Sequence, residues 1–207
     1  MKIEDKNTEE YDLFLKYSEE IGLDNSMVQA AGGNTSIKID DNLWIKASGR
    51  WLVNSRSEES MIAVSISKIK NALKKASCND IDIINSINLK LSSNELRPSV
   101  EAPMHAILDF KYVFHTHDLN VNALAVQKNS RLMFEKILSS LNWKFIPYIK
   151  PGIELCHQLM KLKSDNDNIF ILENHGLIVC GQNLNEVKKL TDEVRKRLKK
   201  LQTKTVI

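Results

Sequence analysis

"YVFHTH", Tyr112 to His117, puts two of the chain's five histidines one residue apart behind an apolar run. In a strand, residues i and i+2 point to the same face, so His115 and His117 present two imidazole nitrogens side by side. Two such donors suit a metal ion. The plainer alternative is one core histidine and one loop histidine. The rest of the chain has to decide between them.

Outward from this strand, apolar spacing sketches an α/β protein. "NTEEYDLFLKYSEEIGL" starts at a cap, Asn7 or Thr8, and runs as an amphipathic helix through Tyr11, Phe14, Leu15 and Ile21 to a stop near Gly22. After a glycine-rich turn, "TSIKI" and "NLWIKAS" read as two short strands joined at Asp40, Asp41 and Asn42. "ESMIAVSISKIKNALKKA" holds a strand-like start and a helix. Helices are expected at Glu101 to Leu108, "VNALAVQK", "SRLMFEKILSSL" and Pro151 to Lys163, the last with proline in its first turn. "KFIPY", "NIFILEN" and "LIVCG" read as further strands. A central sheet flanked by helices follows, with a strand order that the pattern leaves open.

Bulk properties fit one domain, residues 1–207, or at most two small ones, with 43% apolar and 27% charged residues. No run reaches the roughly 20 apolar residues of a membrane span. The start, "MKIEDKNTEEYD", is acidic rather than a basic-then-apolar export signal, and the expected location is the cytoplasm. Cys78, Cys156 and Cys180 are odd in number and far apart, which fits reduced thiols. A net charge of +3 is too slight to argue for nucleic acid. The basic end is an amphipathic helix, with Val187, Leu190, Val194, Leu198 and Leu201 on its apolar face, so its lysines and arginines read as a solvated face.

Four other places bear on the histidine pair. "AAGGNTS", Ala30 to Ser36, combines two glycines with short donors, a turn that could face several N–H groups toward an anion or simply join helix to strand. "ASG", Ala47 to Gly49, closes a strand with another hydroxyl and another flexible N–H. In "RPSVEAPMH", Arg97 to His105, Ser99 can cap a helix whose first turn holds Glu101. That carboxylate either complements the helix dipole or serves a metal as ligand or proton carrier. His105 shares its face and reads as a supporting or core histidine. "LENHGLIVCG" places His175 at a strand end, well set to complete a site, whereas His157 reads as surface or packing. Three histidines with an open position form the catalytic rather than the structural zinc pattern. Together with an anion-binding turn, they suit polarisation of a carbonyl and support of an enolate.

In this order the motifs resemble the class II aldolase/adducin family over roughly Glu10 to Leu198. "GGNTS" and "ASG" resemble its phosphate-binding turns, "RPSVEAPMHA" its catalytic glutamate helix, and "HTH" and "NHG" its metal-ligand segments. The resemblance implies a single three-layer α/β domain with a central, largely antiparallel sheet, assembled as a homotetramer with sites at subunit boundaries. It implies a divalent metal on His115, His117 and His175, zinc most often, with Mn2+, Co2+ or Fe2+ as alternatives. Glu101 becomes the acid/base, and Gly33, Asn34, Thr35, Ser48, Gly49 and Ser99 hold the phosphate of a small phosphorylated sugar. The implied reaction is aldol cleavage of a ketose phosphate through a metal-stabilised enediolate. Epimerisation, dehydration and decarboxylation share that intermediate, and an adducin-like scaffold is the non-catalytic alternative. No nucleic-acid or membrane partner is implied.

The chain departs from the best-known aldolases at several positions. Val100 stands where they carry a second serine, with Arg97 nearby as a substitute. The last residues, "LQTKTVI", hold no tyrosine to protonate a leaving fragment. Tyr148 is the nearest candidate, with packing as its alternative role, and Asp118 is either a further acid or a turn residue. The form of the glutamate segment resembles the sugar-aldolase-like branch.

Overall fold

Alternation along the strands sorts their side chains into two separate cores. The computed structural model describes residues 8–202 except 76, 93 and 94; the cap expected at Asn7 and the side chain of Leu201 lie outside what it describes. The strands are β1 (Asn34–Ile39), β2 (Asn42–Lys46), β3 (Met61–Ser65), β4 (Tyr112–Thr116), β5 (Trp143–Ile146), β6 (Ile169–Leu172) and β7 (Gly176–Gly181). They form one sheet in the order β3-β2-β1-β4-β7-β6-β5. Every pairing is antiparallel except β5 with β6.

Helices cover both faces. Ile37, Trp44, Tyr112, Phe114, Ile171 and Val179 pack on one side against α1 (Thr8–Leu23), α5 (Leu119–Ala125), α6 (Ser130–Ile137) and α8 (Leu184–Gln202). Leu43, Ile45, Val113, Phe170 and Ile178 pack on the other against α2 (Ile66–Leu73), α3 (Asp80–Ile84), α4 (Ala102–Ile107) and α7 (Ile153–Leu162). The result is a three-layer α/β fold with a largely antiparallel sheet. The apolar stripe expected on the last helix is present, since Val187, Val194 and Leu198 are buried. Among the described residues, no helix is long and apolar enough to cross a membrane.

Local chemistry accounts for most boundaries. β1 and β2 are joined through Asp40, whose φ of 53° supplies the left-handed residue a tight hairpin needs. "VNALAVQK" lies partly in α5, which begins earlier because the Asp118 side chain accepts the N–H groups of Asn120 and Val121 and so starts the helix there. α3 is an addition to the elements expected. At five residues it is too short to show a period, although Asn79 and Asp82 form a full capping box at its start.

Candidate metal centre

β4 carries His115 on the Val113 side and hands the chain to His117 just beyond its last residue. His175 closes the turn between β6 and β7, after Asn174 in the left-handed conformation (φ 54°). Because Thr116 is paired with Leu177 and His115 with Ile178, that turn lies against the end of β4. The three imidazole centroids stand 4.8 to 5.4 Å apart. One donor atom from each lies within 4.8 Å of the others. His115 Nδ1–H donates to the Leu177 carbonyl at 3.1 Å, which leaves Nε2 bare. The close approach needs glycine on both sides. A Cβ at Gly176 would stand 2.4 Å from the Thr116 carbonyl oxygen and 2.9 Å from His115 Cε1, and one at Gly32 would stand 2.8 Å from His117 Nδ1.

Glu101 comes from the other direction, at the start of α4. Its N–H donates to Ser99 Oγ at 3.2 Å, and one carboxylate oxygen accepts from the Asn34 side-chain amide. The other oxygen, Oε1, stands 3.2 Å from His175 Nε2 and 3.5 Å from His115 Nε2. Asn34 can reach because β1 is registered with Asn34 opposite His115. Burial works to raise the Glu101 carboxyl, but the field of His115, the hydrogen bond from His175 and the fields of His175 and His105 outweigh it and hold the group ionised. Burial pushes His115 down to about 4 against the pull of Glu101, and lowers His117 as well. Neutral imidazoles beside a carboxylate are the protonation states a divalent metal requires. Glu101 Oε1 and His115 Nε2 are buried without a well-formed hydrogen bond, and with one ring nitrogen each from His117 and His175 they make a donor set that fits such an ion.

The remaining expected site residues divide. Gly33 has φ 68° and packs under His115, where a Cβ would be 3.0 Å from the carbonyl oxygen. Ser48 is exposed and its N–H donates to the Arg97 carbonyl at 2.9 Å; Ala47 pairs with Pro98. The "ASG" turn, with Gly49 at φ 75°, therefore adjoins Ser99. Thr35 is the exception. It pairs with Phe114 on the opposite face of the sheet, where its hydroxyl lies 2.8 Å from Ser18 Oγ. Strand alternation turns it away once Asn34 faces the imidazoles, so its side chain does not line the site.

The other side chains the sequence singled out lie elsewhere. Tyr148 is 59% exposed rather than packed, and its N–H donates to Glu173. Asp118 is fully buried, caps α5 and pairs with Arg195 at 2.8 Å. His105 is buried with Nδ1 2.7 Å from Ser36 Oγ, and His157 sits half-buried on α7. One residue at this end of the sheet went unnoticed in the sequence. Lys46 is a buried lysine in β2; its signal was a cation inside an otherwise apolar strand, "NLWIKAS".

Residues 14–201 match the family described as Class II Aldolase and Adducin N-terminal domain. An uncharacterized oxidoreductase of Bacillus subtilis (strain 168), YuxG, is 25% identical over 174 residues, which make up 78% of this chain and 25% of its own length. The chain thus spans about a quarter of that relative. The N-terminal class II aldolase domain of a conserved protein from Thermoplasma acidophilum superimposes with a TM-score of 0.80 at 25% identity, covering 97% of this chain and 96% of the other. The sugar-phosphate aldolase of Thermotoga maritima gives 0.67 at 16% identity (93% and 97% covered). The L-fuculose-1-phosphate aldolase of Thermus thermophilus gives 0.64 at 15% (95% and 94%). The last two likenesses concern the fold alone.

Proposed function

Since the chain belongs to the class II aldolase and adducin family, we propose that it is a divalent-metal-dependent lyase that cleaves a ketose phosphate between two carbons. The observation that carries this reading is the convergence of three imidazoles on one carboxylate, with Glu101 Oε1 within 3.5 Å of both His115 and His175. His115, His117 and His175 are the residues to hold the ion, zinc by preference. Bound there, it supplies Lewis acidity for a substrate carbonyl and offsets the charge of an enediolate.

The chain's own groups do the rest. Glu101 carries the proton delivered to the enediolate carbon, with Asn34 orienting its carboxylate. Gly33, Asn34, Ser48, Gly49 and Ser99 line the approach for the phosphate end. We assign the working form to a homotetramer and the reducing cytoplasm, in keeping with free Cys78, Cys156 and Cys180. Epimerisation, dehydration and decarboxylation draw on the same residues and differ in the product. An adducin-like scaffold has no use for the four groups retained here.

Elemental mass spectrometry of the purified protein beside His117→Ala tests the centre. Near-stoichiometric divalent metal, absent from the variant, is expected, followed by aldehyde release from a panel of ketose phosphates. Folded wild-type protein that neither holds nor takes up metal would refute the lyase and leave the scaffold.

A further inference from the structure

β1 runs along α4, and three side chains of one strand face meet the helix segment in turn. Asn34 reaches Glu101, Ser36 Oγ stands 2.7 Å from His105 Nδ1, and Lys38 donates to the carbonyl of Leu108, which caps the helix. Lys38 is therefore four residues, about 13 Å of strand, away from the metal centre. A cavity of about 310 Å³ opens beside it, and Lys38, Lys70, Lys111 and Asp109 give that cavity its charge. Gln182 braces one wall, accepting the Lys111 N–H and donating to the Asp109 carbonyl, each at 3.2 Å.

Cations outnumber carboxylates here. Asp109 is engaged by Lys70 at 2.9 Å and by Lys163 at 3.9 Å, and Lys111 pairs with Glu10 at 2.7 Å. Among the described residues no carboxylate pairs with Lys38 within 4.0 Å. Burial pushes its pKa down to about 8, so it is still a cation at neutral pH. Four lysines thus answer two carboxylates, an excess that a dianion would balance. An ammonium drawn out of water and held only by a carbonyl is costly unless a counter-charge arrives. Asp165 and Asp167 border a separate hollow and not this one. The volume is more than a bare oxyanion fills and lies at the small end of organic-ligand pockets. Ile66, Ala106 and Phe110 supply apolar lining for the rest of such a ligand.

We propose that this cavity binds a phosphate monoester, its dianionic head on Lys38, Lys70 and Lys111 and its organic body against Ile66, Ala106 and Phe110. The site is separate from the metal centre and independent of the lyase reading. The alternative is that Lys38 only caps α4 and its neighbours form a solvated patch.

Titration of the full chain with phenyl phosphate, with lysine labelled with 13C at Cε, distinguishes the two. The resonances missing from Lys38→Arg and Lys70→Arg identify the two ammonium groups. Both should move saturably in the wild type, and equally in His117→Ala, whose metal centre is broken. Lys38→Met should bind phenyl phosphate about tenfold more weakly or worse, the scale of a lost charge-assisted hydrogen bond. Inorganic phosphate should bind the wild type about fivefold more weakly than phenyl phosphate, because it leaves the apolar lining uncovered. A stationary Lys38 resonance overturns the proposal, as does a shift lost in His117→Ala or reproduced by sodium chloride of equal ionic strength. Equal binding by folded Lys38→Met, or equal affinity for inorganic phosphate, overturns it too. Should Lys38→Met fail to fold, the wild-type titration decides alone.

Discussion

Glu101 and His105 lie one helical turn apart yet end in opposite surroundings. The carboxylate meets Asn34 and two imidazoles, while the histidine is sealed in the core beside Ser36. Glu101→Gln keeps the shape and removes the proposed proton carrier, so turnover should fall by about 10²- to 10⁴-fold while metal content, read by elemental analysis, persists. Burial pushes the His105 imidazole down to about 3. The unfolded chain takes up that proton near pH 6.5 and the folded chain only near 3. The contribution is therefore full above pH 6.5 and is lost as pH falls from 6.5 toward 3, by about 1.4 kcal/mol per pH unit. Urea melts of metal-free protein between pH 7.5 and 5 should show a shallower loss for His105→Gln than for the wild type. Parallel curves would place the acid sensitivity elsewhere.

At the scale of elements, the last helix steadies the end of the strand at which two of the proposed metal ligands, His115 and His117, stand. Arg195 on α8 pairs with Asp118 at 2.8 Å and with Asp24 at 3.0 Å, and donates to Ser26 Oγ. Asp118 follows His117 directly, so this clamp fixes the end of β4 and the loop that enters the glycine turn. Arg195→Met leaves a buried carboxylate without its partner, at a cost of about 3–5 kcal/mol. On a chain of this size that is roughly 10 °C in melting temperature. Adding Asp118→Asn should restore a good part of it in a double-mutant cycle, and an unshifted single variant would show the clamp to be idle. The contact between β4 and β7 is as demanding. Gly176→Ala forces a methyl against the Thr116 carbonyl and His115, so zinc affinity, measured by chelator competition, should drop about tenfold or more.

Over the whole molecule, the centre gathers residues from four separated stretches, near 34, 101, 115–117 and 175, at one end of the sheet. Exposed apolar side chains stand next to these stretches in the chain, Val100 at 54% and Leu119 at 52%, and Trp51 at 50% follows the "ASG" turn. In the proposed tetramer, subunit contacts are expected to cover them. Sedimentation velocity should return four times the chain mass of 23.6 kDa. Trp51→Glu should shift that species to smaller ones with metal still bound; a wild-type monomer at all concentrations would dispose of the tetramer.

Much of this was local and could be read without coordinates. The HxH spacing, the histidine before Gly176, the carboxylate opening α4 and the apolar stripes of α1 and α8 follow from periods of 2 and 3.6, which are properties of neighbouring residues. Which way a side chain faces is not local, because a strand's face is set by its partners' register. That is why Thr35 proved to look away while Asn34 looked in, and why Asp118, readable only as an acid or a turn residue, became a buried clamp with a partner 77 positions on. The strand order, the exposure of Tyr148 and the contact of Lys38 with the Leu108 carbonyl likewise depend on contacts between segments far apart in the chain. The sequence by itself determined the family and which chemical groups are available to a site; the tertiary structure alone decided which of those groups meet, because meeting depends on register and packing across the whole sheet.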